Sequence, residues 1–209
     1  MKESFAEKKL LNRLKNAGVL VFFLAFAAIV QSQMPAQEPV SIVNATVVSR
    51  DVWQDVPAAQ NLMSTQDRIK GIVIHHTAGR APVEADEAMI LKNIQSFHMT
   101  DMKWGDIAYH YLIAPSGKIY EGRNPKFAGD SGTKYDTNSL LMICFVGTYD
   151  KRLPTPMARH SLKKLINNRL AYYRLVESNV CCHRDLAQTD CPGNALYGWV
   201  QLQKWGAEQ

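Results

Sequence analysis

The chain has 209 residues, 46% of them apolar and 21% charged, which is globular composition and excludes a disordered or low-complexity chain. The formal charge of +5 sits partly in residues 1–33, which hold five Lys/Arg against two Asp/Glu; the rest is close to balanced and lacks the basic excess that a nucleic-acid surface needs. Four Cys, two of them adjacent, are too few for a scaffold built on disulfides.

Lys2, Lys8, Lys9, Arg13 and Lys15 precede an uncharged run of 14 residues, Ala17–Val30. A spanning helix wants about 20 residues and a secretory core about 7–15. Residues 1–33 are therefore expected to be a signal peptide or membrane anchor, and 34–46 a Pro-containing linker. Either way the body, residues 47–209, is exported to the periplasm or cell exterior. It meets the membrane only through the N-terminal segment.

The body opens on an irregular lead-in, 47–69. Gly71–His76 is a short β-branched run and predicts a buried strand. Apolar residues at helical spacing over Val83–Met99, with acidic residues in the first turns, predict a helix. Ile107–Ala114 alternates and predicts a strand. Pro115–Lys118 turns it back into Ile119–Gly122, a hairpin. Residues 123–138 form a long polar loop, more often a binding wall than filler. Leu140–Gly147 predicts a central strand. Thr155-Pro156 caps a helix that keeps its spacing to Val176. Asn179–His183 predicts a short strand and 194–204 a last helix. The sum is one α/β domain with a mixed sheet and about three helices on it.

Three segments carry chemistry: Ile74-His75-His76-Thr77, Asp106-Ile-Ala-Tyr109-His110, and Cys182-His183 to Cys191-Pro-Gly. Imidazole and thiolate suit zinc, which keeps an open position when it has three protein ligands and is catalytic, and is closed by four when structural. Strand alternation lets at most one of His75 and His76 face a given site. His98 and His110 read as core residues, His160 as solvated, and Cys144 as a small hydrophobe. Cys181 and Cys182 point opposite ways, one packed and one partly exposed. His183 and Cys191 fit a strand end and a loop returning to it, a zinc signal by spacing. Spacing alone establishes no third ligand and leaves a structural zinc open.

Taken in order, Val73-Ile-His75-His76-Thr77-Ala-Gly79, Trp104 to Ile113, Tyr120-Glu-Gly-Arg123, Asn138-Ser139, Ile143-Cys-Phe-Val-Gly147 and His183-Arg-Asp185 to Cys191-Pro-Gly193 resemble the zinc-dependent N-acetylmuramoyl-L-alanine amidases, in the branch shared with the peptidoglycan recognition proteins. The likeness runs from about Ser49 to Gln203. It implies Zn²⁺ in a surface cleft on His75, His183 and Cys191, with Tyr109 and Thr189 as catalytic residues beside it. It also implies peptidoglycan or muropeptides as partner, no nucleic acid, and a monomer. Where the family often carries Ala-His-Ala before the central strand, this chain reads Lys126-Phe127-Ala128, and Phe127 is expected on the cleft wall. The central strand has no carboxylate, so the proton chemistry falls to Tyr109 with Thr189. The activity implied is hydrolysis of the amide between the lactyl group of N-acetylmuramic acid and L-alanine. The alternative is a peptidoglycan-binding recognition protein without turnover.

Overall fold

A computed structural model describes residues 47–54, 56–81 and 86–206; the expected leader and linker lie outside the described residues. In chain order the elements are β1 (Val47–Val48), β2 (Gly71–His76), α1 (Glu87–Thr100), β3 (Tyr111–Ile113), β4 (Ile119–Glu121), β5 (Leu140–Phe145), α2 (Pro156–Tyr173), β6 (Val180–Cys182) and α3 (Asn194–Gln201). The strands form one mixed sheet in the order β1-β4-β3-β5-β2-β6. All neighbours are parallel except the β3–β4 hairpin.

β2 and β5 lie at the centre and pair along their whole length, from Gly71 opposite Leu140 to His76 opposite Phe145. Both strands are apolar almost without interruption because both faces of the sheet are covered. On one face Ile72, Ile74, Leu141, Ile143 and Phe145 pack against Leu162, Leu165 and Ile166 of α2 and Leu196 and Val200 of α3. On the other, Leu112 and Val146 pack against Leu91 of α1, Trp53 and Ile107. The even residues of β2 thus join the α2–α3 core, and His75 points to the α1 side. The helix starts follow their capping residues. Thr155 Oγ1 accepts the Ala158 N–H at 3.1 Å ahead of Pro156, and Asp86 accepts the Met89 N–H at 3.2 Å.

Two expected stretches come out differently. Ile107–His110 is not strand; pairing begins only at Tyr111. Its first two backbone donors are already taken, Ile107 N–H by Asp106 Oδ1 at 2.7 Å and Ala108 N–H by His98 Nδ1 at 3.0 Å, and only the His110 N–H reaches β5, at the Met142 carbonyl, 2.9 Å away. The lead-in is not wholly irregular either. Val47–Val48 closes the sheet edge against Ile119–Tyr120, and 3-10 turns cover Arg50–Val52 and Gln60–Leu62. Two residues are too short a strand to leave a periodic signal.

His98 and His110 hold the segment between them in place. His110 Nδ1 accepts the Met142 N–H at 2.8 Å, and its Nε2 lies 3.0 Å from the Phe127 carbonyl oxygen. Both rings use Nδ1 as acceptor and must stay neutral. Burial, with Arg123 adding to it, lowers each pKa to about 4. An unfolded chain takes up these protons near pH 6.5, and the folded chain only near pH 4. Stability is therefore complete above about pH 6.5 and falls as pH drops toward 4, by about 3 kcal/mol per ring at most. Urea unfolding of metal-free protein at pH 7 and pH 4.5 checks this; equal midpoints would contradict it.

Candidate metal centre

His75 ends its run on the α1 side of β2, next to Cys144 of β5 in the parallel register. The residue is 2% exposed. His183 directly follows β6, the other neighbour of β2, and opens a 3-10 turn, His183–Asp185. Cys182 N–H donates to Asp185 Oδ2 at 2.7 Å, which fixes the turn. The chain then loops out and returns: Arg184 N–H donates to the Cys191 carbonyl at 3.1 Å. Gly193 follows with φ +93°, and a Cβ there would stand 2.5 Å from the Tyr149 backbone, so a glycine is needed where the loop turns into α3.

One donor atom each from His75, His183 and Cys191 lies within 4.8 Å of the others. His75 and His183 ring centroids are 4.7 Å apart. His75 Nδ1 is 3.7 Å from Cys191 Sγ, close to the about 3.5 Å that separates nitrogen and sulfur ligands on a tetrahedral zinc. His75 Nε2 is buried with no hydrogen-bond partner. The nitrogen that faces the sulfur is Nδ1, so Nδ1 is the His75 atom placed to serve as a ligand. Burial, then His183, lowers the His75 pKa well below its ordinary value, and burial lowers that of His183 too. Both rings are therefore neutral and carry a lone pair. Burial pushes the Cys191 thiol up to about 11, against the pull of the His76 backbone N–H, 3.4 Å from Sγ. A soft cation is what turns that thiol into a ligand. The donor set fits zinc.

His76 contributes its backbone only. Its ring turns the other way, and Nδ1 accepts the Tyr149 N–H at 3.4 Å. Tyr109 lies 5.3 Å from His75 between ring centroids and 5.7 Å from His98. Its place depends on Gly122: a Cβ there would stand 2.1 Å from the Tyr109 carbonyl oxygen, which accepts the Arg123 N–H at 2.8 Å. Burial first, then the Cys144 and Cys191 sulfurs, raise the Tyr109 pKa well above its ordinary value, so the phenol stays a proton donor. Tyr109 also lines a cleft of about 320 Å³ between α1 and the strand ends, with Arg80, Ile90, Asn93, Ile94, Phe97 and His98 among its walls. Thr189 Oγ1 accepts the Cys191 N–H at 3.2 Å and shapes the loop that carries the sulfur.

The loop 123–138 reaches the cluster, though not through Phe127. Phe127 bridges to Thr65, and its carbonyl lies within reach of His110 and Gln66. The residues at the cluster are Ser131, Thr133 and Tyr135: Thr133 Oγ1 is 2.6 Å and Ser131 Oγ 3.2 Å from His183 Nε2, and the Tyr135 ring is 5.2 Å from the imidazole. Sequence reasoning singled out this loop by its length but not these side chains. A Ser-x-Thr-x-Tyr pattern carries no signal of its own. Cys144 and Cys182 are buried and Cys181 half-buried, all as free thiols.

A three-layer α/β domain with two imidazoles and a thiol converging beside a cleft defines a candidate metal-assisted hydrolase or a binding domain built on that frame. Residues 65–194 match the family described as N-acetylmuramoyl-L-alanine amidase. The chain is 35% identical over 167 residues to peptidoglycan-recognition protein SD of Drosophila melanogaster, covering 78% of this chain and 88% of that one. The crystal structure of Drosophila peptidoglycan recognition protein SD superposes with a TM-score of 0.70 at 33% identity, covering 79% of this chain and 99% of the other. A human recognition protein, PGRP-IBETAC in complex with glycosamyl muramyl pentapeptide, aligns at TM-score 0.67 and 31% identity, covering 75% and 94%. The chain belongs to the N-acetylmuramoyl-L-alanine amidase family, in the superfamily shared with the peptidoglycan recognition proteins.

Proposed function

We propose that this chain is a zinc-dependent N-acetylmuramoyl-L-alanine amidase that cleaves the bond between the lactyl group of N-acetylmuramic acid and L-alanine in peptidoglycan. The observation that carries the reading is the convergence of His75, His183 and Cys191 beside Tyr109. In this reading His75, His183 and Cys191 hold Zn²⁺, which would supply Lewis acidity toward the amide carbonyl and toward water. Tyr109 donates its phenolic hydrogen bond to the oxygen on which negative charge develops. Thr189 keeps its own hydroxyl proton while accepting from Cys191, so it can hold a water for delivery to the leaving amine. The cleft beside Tyr109 takes the muropeptide, the ligand class named for the human relative. We further propose residues 1–33 as the export address and 47–209 as the working domain.

A second reading, binding without turnover, is favoured by the relatives, which are named as recognition proteins. Mass spectrometry of digested peptidoglycan separates the two. The amidase reading expects intact stem peptides with a free N-terminal L-alanine and no new reducing ends. Undigested peptidoglycan that nonetheless retains the protein would support recognition alone. New reducing ends, or peptides lacking the first L-alanine, would show the wrong bond.

A further inference from the structure

We propose that Thr133, backed by Ser131, is a positioning residue of the metal centre: its hydroxyl accepts the Nε2 proton of His183 and leaves the Nδ1 lone pair for the cation. The inference rests on the zinc reading above. A neutral imidazole has one N–H and one lone pair, and the partner of one nitrogen decides the character of the other. His183 Nε2 faces two hydroxyls, Thr133 Oγ1 at 2.6 Å and Ser131 Oγ at 3.2 Å, so the nitrogen left for a metal is Nδ1. The hydroxyls themselves lie 2.9 Å apart, and the Thr133 N–H donates to Ser131 Oγ at 3.2 Å. Thr133 can accept from Nε2–H and donate its own proton to Ser131 Oγ, so the imidazole proton and the Thr133 proton each find an acceptor. The reverse direction puts the proton on Nδ1 and removes the ligand.

The hydroxyls are not held by chance contact. Arg123, 1% exposed, binds the Asp130 carboxylate and donates to the carbonyls of Ile107 at 2.8 Å and Asp106 at 3.0 Å. Asp130 immediately precedes Ser131, so a buried cation fixes the base of the segment. A supporting hydrogen bond of this kind sets ring orientation as well as tautomer, and its loss typically weakens metal binding by about 10–100-fold.

The test is zinc affinity, by competition with a chromophoric chelator, for the wild-type chain, T133V and T133S. T133V keeps the shape and removes the hydroxyl; T133S keeps the hydroxyl. Affinity about 10–100-fold weaker in T133V and near wild type in T133S is expected. Equal affinity in all three would overturn the inference and leave the zinc reading intact. A wild-type chain that binds no zinc would overturn both. Nitrogen NMR of His183 in zinc-loaded wild type gives a check that needs no variant: the proton must reside on Nε2, and a proton on Nδ1 overturns the assignment.

Discussion

His183→Ala is expected to abolish zinc binding and turnover together. The change leaves His75 and Cys191 as the two remaining donors of the cluster, and two ligands do not make a zinc site. Affinity should fall by well over about 100-fold, beyond the effect of losing a supporting hydrogen bond. His76→Ala is the control. Its imidazole turns toward the Tyr149 N–H, and its contacts to Cys191 run through backbone atoms that alanine keeps. Metal content of the purified variants, read beside circular dichroism, decides the matter. Zinc lost from H76A but retained in H75A would reverse the assignment on β2. Loss of the fold along with the metal in H183A would point instead to a structural zinc, because a closed structural site supplies folding energy that a catalytic one need not.

Tyr109→Phe is expected to leave zinc in place and lower turnover by about 10²–10³-fold, the effect of removing one hydrogen-bond donor to a developing oxyanion. Phenylalanine keeps the ring against His75 and His98, so the packing of the segment stays the same. The phenol is held protonated by burial, so its donation should not fade across the neutral pH range. Steady-state rates on muropeptides measure the effect. A kcat within about threefold of wild type would take Tyr109 out of the chemistry and leave it as a cleft wall.

The strands that carry the site were legible as residues. Gly71–His76 is apolar and β-branched, and its period of two already separates His75 from His76. The structure seats the first at the cluster and the second in the opposite core face. The start of α2 was legible for a local reason, since Thr155 answers an unpaired N–H of the first turn; the start of α1 was not, because apolar spacing put it at Val83 whereas Asp86 caps a helix that opens at Glu87. The family motifs named the three candidate ligands in order. None of this fixes distance. His75 and Cys191 are 116 positions apart, and only the parallel placement of β6 on β2 brings the loop after His183 back to the end of the first strand.

The same division runs through the polar segments. Ile107–His110 has the composition of a strand, yet Asp106 and the His98 ring capture the Ile107 and Ala108 N–H groups that a ladder would use. Alternation cannot show that competition, because His98 comes from another element. The loop 123–138 is the plainest case. Its length marked it as a wall, and its sequence offered Phe127 as the contact. Arg123 grips Asp130 while the Phe127 backbone pairs with Thr65 and faces His110, and it is Ser131 and Thr133 that come to His183. Local pattern determines which face of a strand or helix a side chain takes, because a repeating backbone sets it. An irregular loop has no repeat, and its side chains go where long-range hydrogen bonds to buried groups send them.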